Sequence, residues 1–251
     1  MKRPEELVCG AFLIVSLFGV VGCGSDSSHT AASTPPVGSS STSAGAAPAP
    51  VCPNPGAGAC LKAGTYKTRL FQPQVTYTVP GGGWANHEDS QVNFTLVPPG
   101  VPLSQVENAT NTIIVWPGVE AAAMNCSGGP DTKIAYTPKA IAQWLSHHPG
   151  LKASPTRPVT VGKLHGYLVS VQLAPGGGIR CGDPVRAMPL VNNIGDPHAQ
   201  FGIAGTTDHA LIYLLNMGGA ALGIIADSTT PHRPSLTADQ KVIQQFRFSS
   251  G

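Results

Sequence analysis

The stretch HALIYLLNMGGAALGIIAD, residues 209–227, constrains the fold of this chain more than any other. It reads as a hairpin that turns at Met217–Gly219, between two arms that are apolar on both faces. Alternate side chains of a strand point to opposite faces of a sheet, so both faces of these arms have to be covered. The stretch therefore predicts a central sheet position.

Further segments show the patterns of β-strands. In QVTYTV, residues 74–79, apolar and polar residues alternate, as in a half-buried strand. The other predicted strands are 91–97, 111–116, two strands in 158–174 that turn near Gly162 and Lys163, and a short one at Arg247 and Phe248.

Two helices are predicted between these strands. In TPKAIAQWLSHHPG, residues 137–150, Thr137 can cap the helix, Pro138 suits its first turn, and Pro149–Gly150 ends it. Residues Ile141, Trp144, Leu145 and His148 form one face of this helix. The second helix follows a predicted capping box of Thr237 and Gln240.

The order of these elements carries a family resemblance, through the turn VPGGGW at 79–84, the strands VTVGKLHGYLVSVQL, and the ending FRF. The chain from about residue 65 to 248 resembles the PsbP/Mog1-like domains of bacterial lipoproteins, particularly those of actinobacteria. The resemblance implies an α+β fold, with a curved antiparallel sheet flanked by two main helices, and a binding or assembly role without catalytic residues. A mainly-β sandwich with peripheral helices is the alternative.

The amino terminus has the pattern of an export signal. Lys2 and Arg3 precede an apolar run that ends at Gly22 and is shorter than the roughly 20 residues of a membrane-spanning helix. The run closes with VVGC, which resembles the bacterial lipobox and implies that Cys23 is lipidated. The alternative is an ordinary secretory signal followed by a chance cysteine.

The predicted domain organisation follows from this signal. We expect a lipoprotein signal peptide at 1–22, the lipidated cysteine and a disordered Ser/Pro/Ala/Thr-rich tether at 23–51, and one domain at 52–251. As a flexible coil, the tether would span roughly 30 Å. The chain would thus be anchored by its lipid at the extracytoplasmic face of the cell membrane.

Four cysteines remain in the predicted domain, and exported proteins commonly pair theirs as disulfides. Four cysteines can form two disulfides in three ways, and we favour the arrangement that pairs Cys52 with Cys60 and Cys126 with Cys181. Zinc binding is disfavoured because none of these cysteines has C-x-x-C spacing.

The stretch VPGGGWANHED, residues 79–89, is the first candidate site. No helix follows its glycines, so it does not fit a phosphate-binding loop. We expect a turn with Trp84 folded over the sheet edge and NHED as an exposed tip. The weak metal candidates are His87, with Glu88 and Asp89, completed by His198 or His209, although the pattern as a whole predicts neither a metal nor a cofactor.

Composition and motifs bound the function. The net charge of +2 and the lack of a basic cluster argue against a nucleic-acid partner. The chain has neither a G-x-S-x-G nor an S-x-x-K motif, so no catalytic residue is assigned. We expect a non-catalytic domain that binds a small apolar ligand or an envelope protein. The alternative is a cell-surface hydrolase or metal-dependent enzyme that uses the Asp196–His198 or Asp208–His209 pair.

Overall fold

The computed structural model describes residues 59–81, 83–101, 111–181, 185–229 and 236–249. Predictions for the signal peptide, for Cys23 and for the tether lie outside these residues. The described elements all belong to one compact unit, Ala46–Gly251. The strands are β1 (Ala59–Leu61), β2 (Gly64–Lys67), β3 (Gln74–Val79), β4 (Trp84–Asp89), β5 (Phe94–Val97), β6 (Ile113–Ala121), β7 (Leu151–Ala153), β8 (Arg157–Val161), β9 (Leu164–Leu173), β10 (Ala187–Asn193), β11 (Asp196–Ala204), β12 (His209–Met217), β13 (Ala220–Ser228) and β14 (Arg247–Ser249), and the helices are α1 (Pro138–His147) and α2 (Thr237–Ile243).

Most of these strands form one antiparallel sheet of 11 strands. Its main path is β1-β4-β5-β6-β13-β12-β9-β7; β10 also pairs with β6, β11 with β10, and β8 with β9. A smaller sheet has the order β14-β3-β2. The fold is therefore mostly β, and the predicted α+β class with two main flanking helices is wrong. The two helices in the described part have only 10 and 7 residues. Residues 84–89, predicted as part of a turn, form β4, and residues 187–193 and 196–204, for which no strand was predicted, form β10 and β11.

The central position predicted for residues 209–227 is confirmed. Strand β13 lies between β6 and β12, and the interior residues of both arms are buried. Tyr213 and Ile224 belong to a core cluster with the small sheet and α2, whereas Ile212 and Ile225 belong to a cluster with α1, β10 and β11. Both faces are therefore covered.

Both predicted helices are present, but the predicted N-terminal cap is found only in α1. Helix α1 begins as predicted, with the Thr137 hydroxyl accepting a hydrogen bond from the Ala140 N–H at 3.3 Å. Helix α2 exists, but Leu236 occupies its N-cap position and Thr237 is already helical, so the predicted capping box is wrong. Neither helix in the described ranges is long and apolar enough to cross a membrane.

Candidate functional site

The stretch that first suggested a site is a strand. Residues Trp84–Asp89 form β4, which pairs with β5 on one side and β1 on the other, so NHED is not an exposed tip. Trp84 is 3% exposed and packs in the core rather than over the sheet edge. The preceding turn uses Gly83 at a φ of 93°, where a Cβ atom would also come within 3.1 Å of Pro99.

The acidic residues of β4 have structural partners. The Asp89 carboxylate accepts hydrogen bonds from the backbone N–H groups of Arg69, Leu70 and Phe71 at 2.6, 3.1 and 2.9 Å. The Glu88 carboxylate accepts from the Ser90 hydroxyl at 2.9 Å and from the Asn93 side-chain amide. Asp89 thus fixes the turn that follows β2.

The metal candidates do not converge. His87 lies on β4, the exposed His198 on β11, and His209 at the start of β12. Across the described ranges, no group of three or more His, Cys, Asp or Glu side chains could hold a metal ion. The Asp196 carboxylate accepts the His198 backbone N–H at 3.0 Å, which is a local turn contact.

The second Asp–His pair has a different geometry. The Asp208 carboxylate accepts the Ala204 N–H at 2.7 Å, and burial raises the pKa of Asp208 while this hydrogen bond opposes the shift. The His209 Nε2 atom instead lies 2.7 Å from the Ser170 hydroxyl, and burial lowers the pKa of His209. Ser170 lines a cavity of about 320 Å³ that Arg157 also borders.

The favoured pairing of Cys126 with Cys181 is confirmed, with the two Cα atoms 5.2 Å apart. This disulfide joins the segment after β6 to the segment before β10. Cys60 is also disulfide-bonded. The pairing predicted for it involves Cys52, which lies outside the described residues and stays a prediction.

An open groove of about 670 Å³ lies beside the start of α1. We call it the α1 groove. It is formed by the first turn of α1, by one face of the β8–β9 hairpin and by the turn between β12 and β13; its lining includes Pro138, Lys139, Pro158, His165, Tyr167 and Asn216.

Strand alternation places the hairpin residues of this groove. In the β8–β9 register, Pro158 is opposite Tyr167 and Thr160 is opposite His165, so the four side chains share one face. The Thr160 hydroxyl and His165 Nδ1 are 2.9 Å apart. Helix α1 leaves this part of the sheet face open, which produces the groove.

The groove combines an apolar wall with a few polar groups. The rings of Pro138, Pro158 and Tyr167 supply the wall, and Tyr167 also packs against the core beneath α1. The polar groups come from the Thr160–His165 pair, from the Lys139 ammonium and from Asn216, whose Oδ1 accepts the Gly219 N–H at 3.0 Å. An arrangement of this kind can hold a ring or chain and orient its polar substituents.

Two further cavities have different linings. The β2 pocket, about 480 Å³, is lined by residues of β1, β2 and β4 and by the turn after β2, including Leu61, Lys67, Arg69, Leu70, His87 and Asp89. The α2 groove, about 600 Å³, lies between α2 and the end of β3. His87 and Asp89 of the β2 pocket were predicted from the sequence as candidate ligands. No residue of the α1 groove was predicted to bind a ligand.

No family model and no curated protein matches the chain. One matching solved structure is that of a protein from Bacteroides thetaiotaomicron VPI-5482, with 12% sequence identity and a TM-score of 0.32. The alignment covers 70% of this chain and 45% of that one, so the chain spans less than half of its neighbour. This likeness is too low to support an argument about fold or function.

Proposed function

We propose that this protein is a lipid-anchored, extracytoplasmic lipoprotein whose β domain binds a small, largely apolar ligand in the α1 groove. The observation that carries the binding role is the groove itself. Its volume of about 670 Å³ falls within the roughly 300–1,000 Å³ of small-molecule sites, and rings wall it beside a few polar groups.

The lining indicates the chemistry of the ligand. The Tyr167 ring and the two proline rings favour a flat or cyclic apolar body, because stacking on such rings buries area with little loss of side-chain entropy. Lys139 and the Thr160–His165 pair favour a polar or anionic substituent at one end.

The anchor part of the proposal rests on the lipobox-like VVGC sequence. In the producing cell, the wild-type chain is expected in the membrane fraction, carrying a metabolically incorporated alkyne fatty acid. The Cys23→Ser variant should lose both properties. Equal membrane association and no label on either chain would contradict the anchor.

The binding part is tested with 1-anilinonaphthalene-8-sulfonate, an aromatic anion that becomes fluorescent in apolar sites. Replacing Tyr167 with Ala removes a wall of the groove and is expected to weaken probe binding about tenfold, or ~1.4 kcal/mol. Tyr136→Ala is the matched control, because Tyr136 is 47% exposed and does not line the groove. Binding unchanged by Tyr167→Ala, or lowered equally by both variants, would contradict the site.

A second candidate function is a serine hydrolase, favoured by the 2.7 Å contact between Ser170 Oγ and His209 Nε2. A neutral imidazole at that distance can take the hydroxyl proton, although the neighbouring Asp208 bonds to Ala204 instead of orienting His209. A fluorophosphonate probe should label the wild type and not Ser170→Ala. Ser146→Ala is the control, because Ser146 lies in α1 and does not line this cavity. An unlabelled wild-type chain would exclude this candidate.

A further inference from the structure

The β2 pocket has an apolar and cationic rim that the proposed ligand site does not use. Leu70, in the turn after β2, is 59% exposed. The exposed side chains of Lys67 and Arg69 line the same pocket, and so does His87. An exposed leucine beside two cations suits a surface that contacts lipid headgroups and the acyl boundary beneath them.

The acidic groups near this rim are engaged within the protein. Asp89 lines the pocket, but its carboxylate accepts three backbone N–H groups of the turn that carries Arg69 and Leu70. Glu88 bonds to Ser90 and Asn93. Two cations and one internally bonded carboxylate therefore line the pocket, which gives its rim a positive balance.

The first described residues of the domain lie at this pocket. Cys60 and Leu61, at the start of the described structure, line it together with Lys67 and Arg69. The proposed lipid site, Cys23, lies 36 positions before Ala59. The tether predicted at 23–51 would span roughly 30 Å as a flexible coil, so the proposed anchor would hold the pocket close to the bilayer.

We propose that the rim of the β2 pocket docks on the anionic surface of the membrane that carries the anchor, with Leu70 entering the headgroup region. This inference rests on the proposed lipid anchor. Each basic residue at an anionic surface raises partitioning about fivefold, so Lys67 and Arg69 together contribute roughly 25-fold. Tethering adds a high effective concentration, which lets so weak a contact persist.

The test uses the chain from residue 24 onward, which retains every described element but lacks the lipidated cysteine. Its binding is measured by flotation with phosphatidylcholine vesicles, with and without 30% phosphatidylglycerol, at low and high salt. We expect phosphatidylglycerol to raise binding at least about tenfold at low salt, and high salt to remove the gain.

Two pairs of variants locate the contact. Lys67→Gln with Arg69→Gln should lower binding to the anionic vesicles by roughly 25-fold. Lys133→Gln with Lys152→Gln makes the same charge change at two exposed residues outside the pocket and should have little effect. Leu70→Ser should weaken binding while keeping its salt dependence. Arg69 bonds to Asp89 through its backbone N–H, so its side-chain replacement leaves that contact in place.

Equal losses in the two double variants, or equal binding to both kinds of vesicle, would overturn the docking proposal. The anchor is judged separately, from the membrane fraction of Cys23→Ser cells. If the Cys23→Ser chain is soluble but the chain from residue 24 binds both kinds of vesicle equally, the proposed anchor is supported and the proposed docking surface is rejected.

Discussion

Gly166 of β9 lies so close to Leu214 of β12 that a Cβ atom at position 166 would be 2.0 Å from the Leu214 carbonyl oxygen. The same Cβ would be 2.7 Å from the Cα atom of Leu215. Both contacts are with backbone, so no side-chain rotation could relieve them. Because Gly166 lies between His165 and Tyr167, its close approach to β12 sets the position of one wall of the α1 groove.

Gly166→Ala is therefore expected to lower the free energy of unfolding by about 3 kcal/mol, measured by urea denaturation. Gly81→Ala is the control, because a Cβ atom there meets nothing within 4 Å, and we expect a change of less than about 0.5 kcal/mol. Equal stability of the two variants would contradict this prediction, because it would mean that β9 and β12 can move apart without loss of stability.

Asp89→Ala should destabilise the fold by about 2–3 kcal/mol, because three backbone N–H groups lose a charged acceptor. Asp196→Ala removes a carboxylate that accepts one N–H group, that of His198, and should cost less than about 1 kcal/mol. Urea midpoints at neutral pH measure both. If Asp89→Ala lowers the stability no more than Asp196→Ala does, the turn after β2 does not depend on the Asp89 carboxylate.

The disulfide between Cys126 and Cys181 closes a loop with a sequence separation of 55. In the chain-entropy account, such a loop stabilises the fold by about 4 kcal/mol. Replacing both cysteines with Ser should lower the free energy of unfolding by about that amount and leave the Cys60 disulfide untouched. Thermal unfolding monitored by circular dichroism would show it, and an unchanged midpoint would contradict this role.

The half-buried His209 predicts a pH dependence of stability. Burial lowers the pKa of His209 from its ordinary 6.5, so below about pH 6.5 the unfolded chain binds a proton that the folded imidazole resists. Stability should therefore fall as the pH drops from 7 to 5. His148, whose pKa burial also lowers, acts in the same direction, whereas burial of Asp208 and Glu120 raises their pKa values and favours the fold at lower pH.

His209→Gln isolates this contribution, since the other titrating groups are common to both chains. The stability difference between wild type and variant should shrink as the pH falls from 7 to 5. A difference that stays constant over this range would mean that His209 is protonated as readily in the folded protein as in the unfolded one.

Segments with one clear period were predictable from the sequence. The β12–β13 hairpin, α1 and the β8–β9 hairpin each combine an unbroken apolar pattern with a marked turn or cap, and the structure has all three. The hairpin β10–β11 was missed because its sequence contains residues typical of turns. Its pairing shifts register between Pro189 and Val191 and again between Asn192 and Asn193, and these irregularities accommodate residues that a regular strand disfavours.

The site shows the same division. The polar residues of β4 led to the prediction of an exposed tip. The sequence alone does not show that the Asp89 carboxylate accepts hydrogen bonds from backbone N–H groups of the turn after β2. The α1 groove did leave a signal. The two strands predicted in 158–174 already place Pro158, Thr160, His165 and Tyr167 on one face when they pair about that turn, but only the tertiary structure shows that α1 leaves this face open.

Native mass spectrometry of the protein purified from the producing cell shows whether the α1 groove holds a small ligand. We expect one small molecule bound per wild-type chain, lost in Tyr167→Ala and retained in Tyr136→Ala. A wild-type chain that carries no small molecule, or one that Tyr167→Ala retains in full, would contradict the claim.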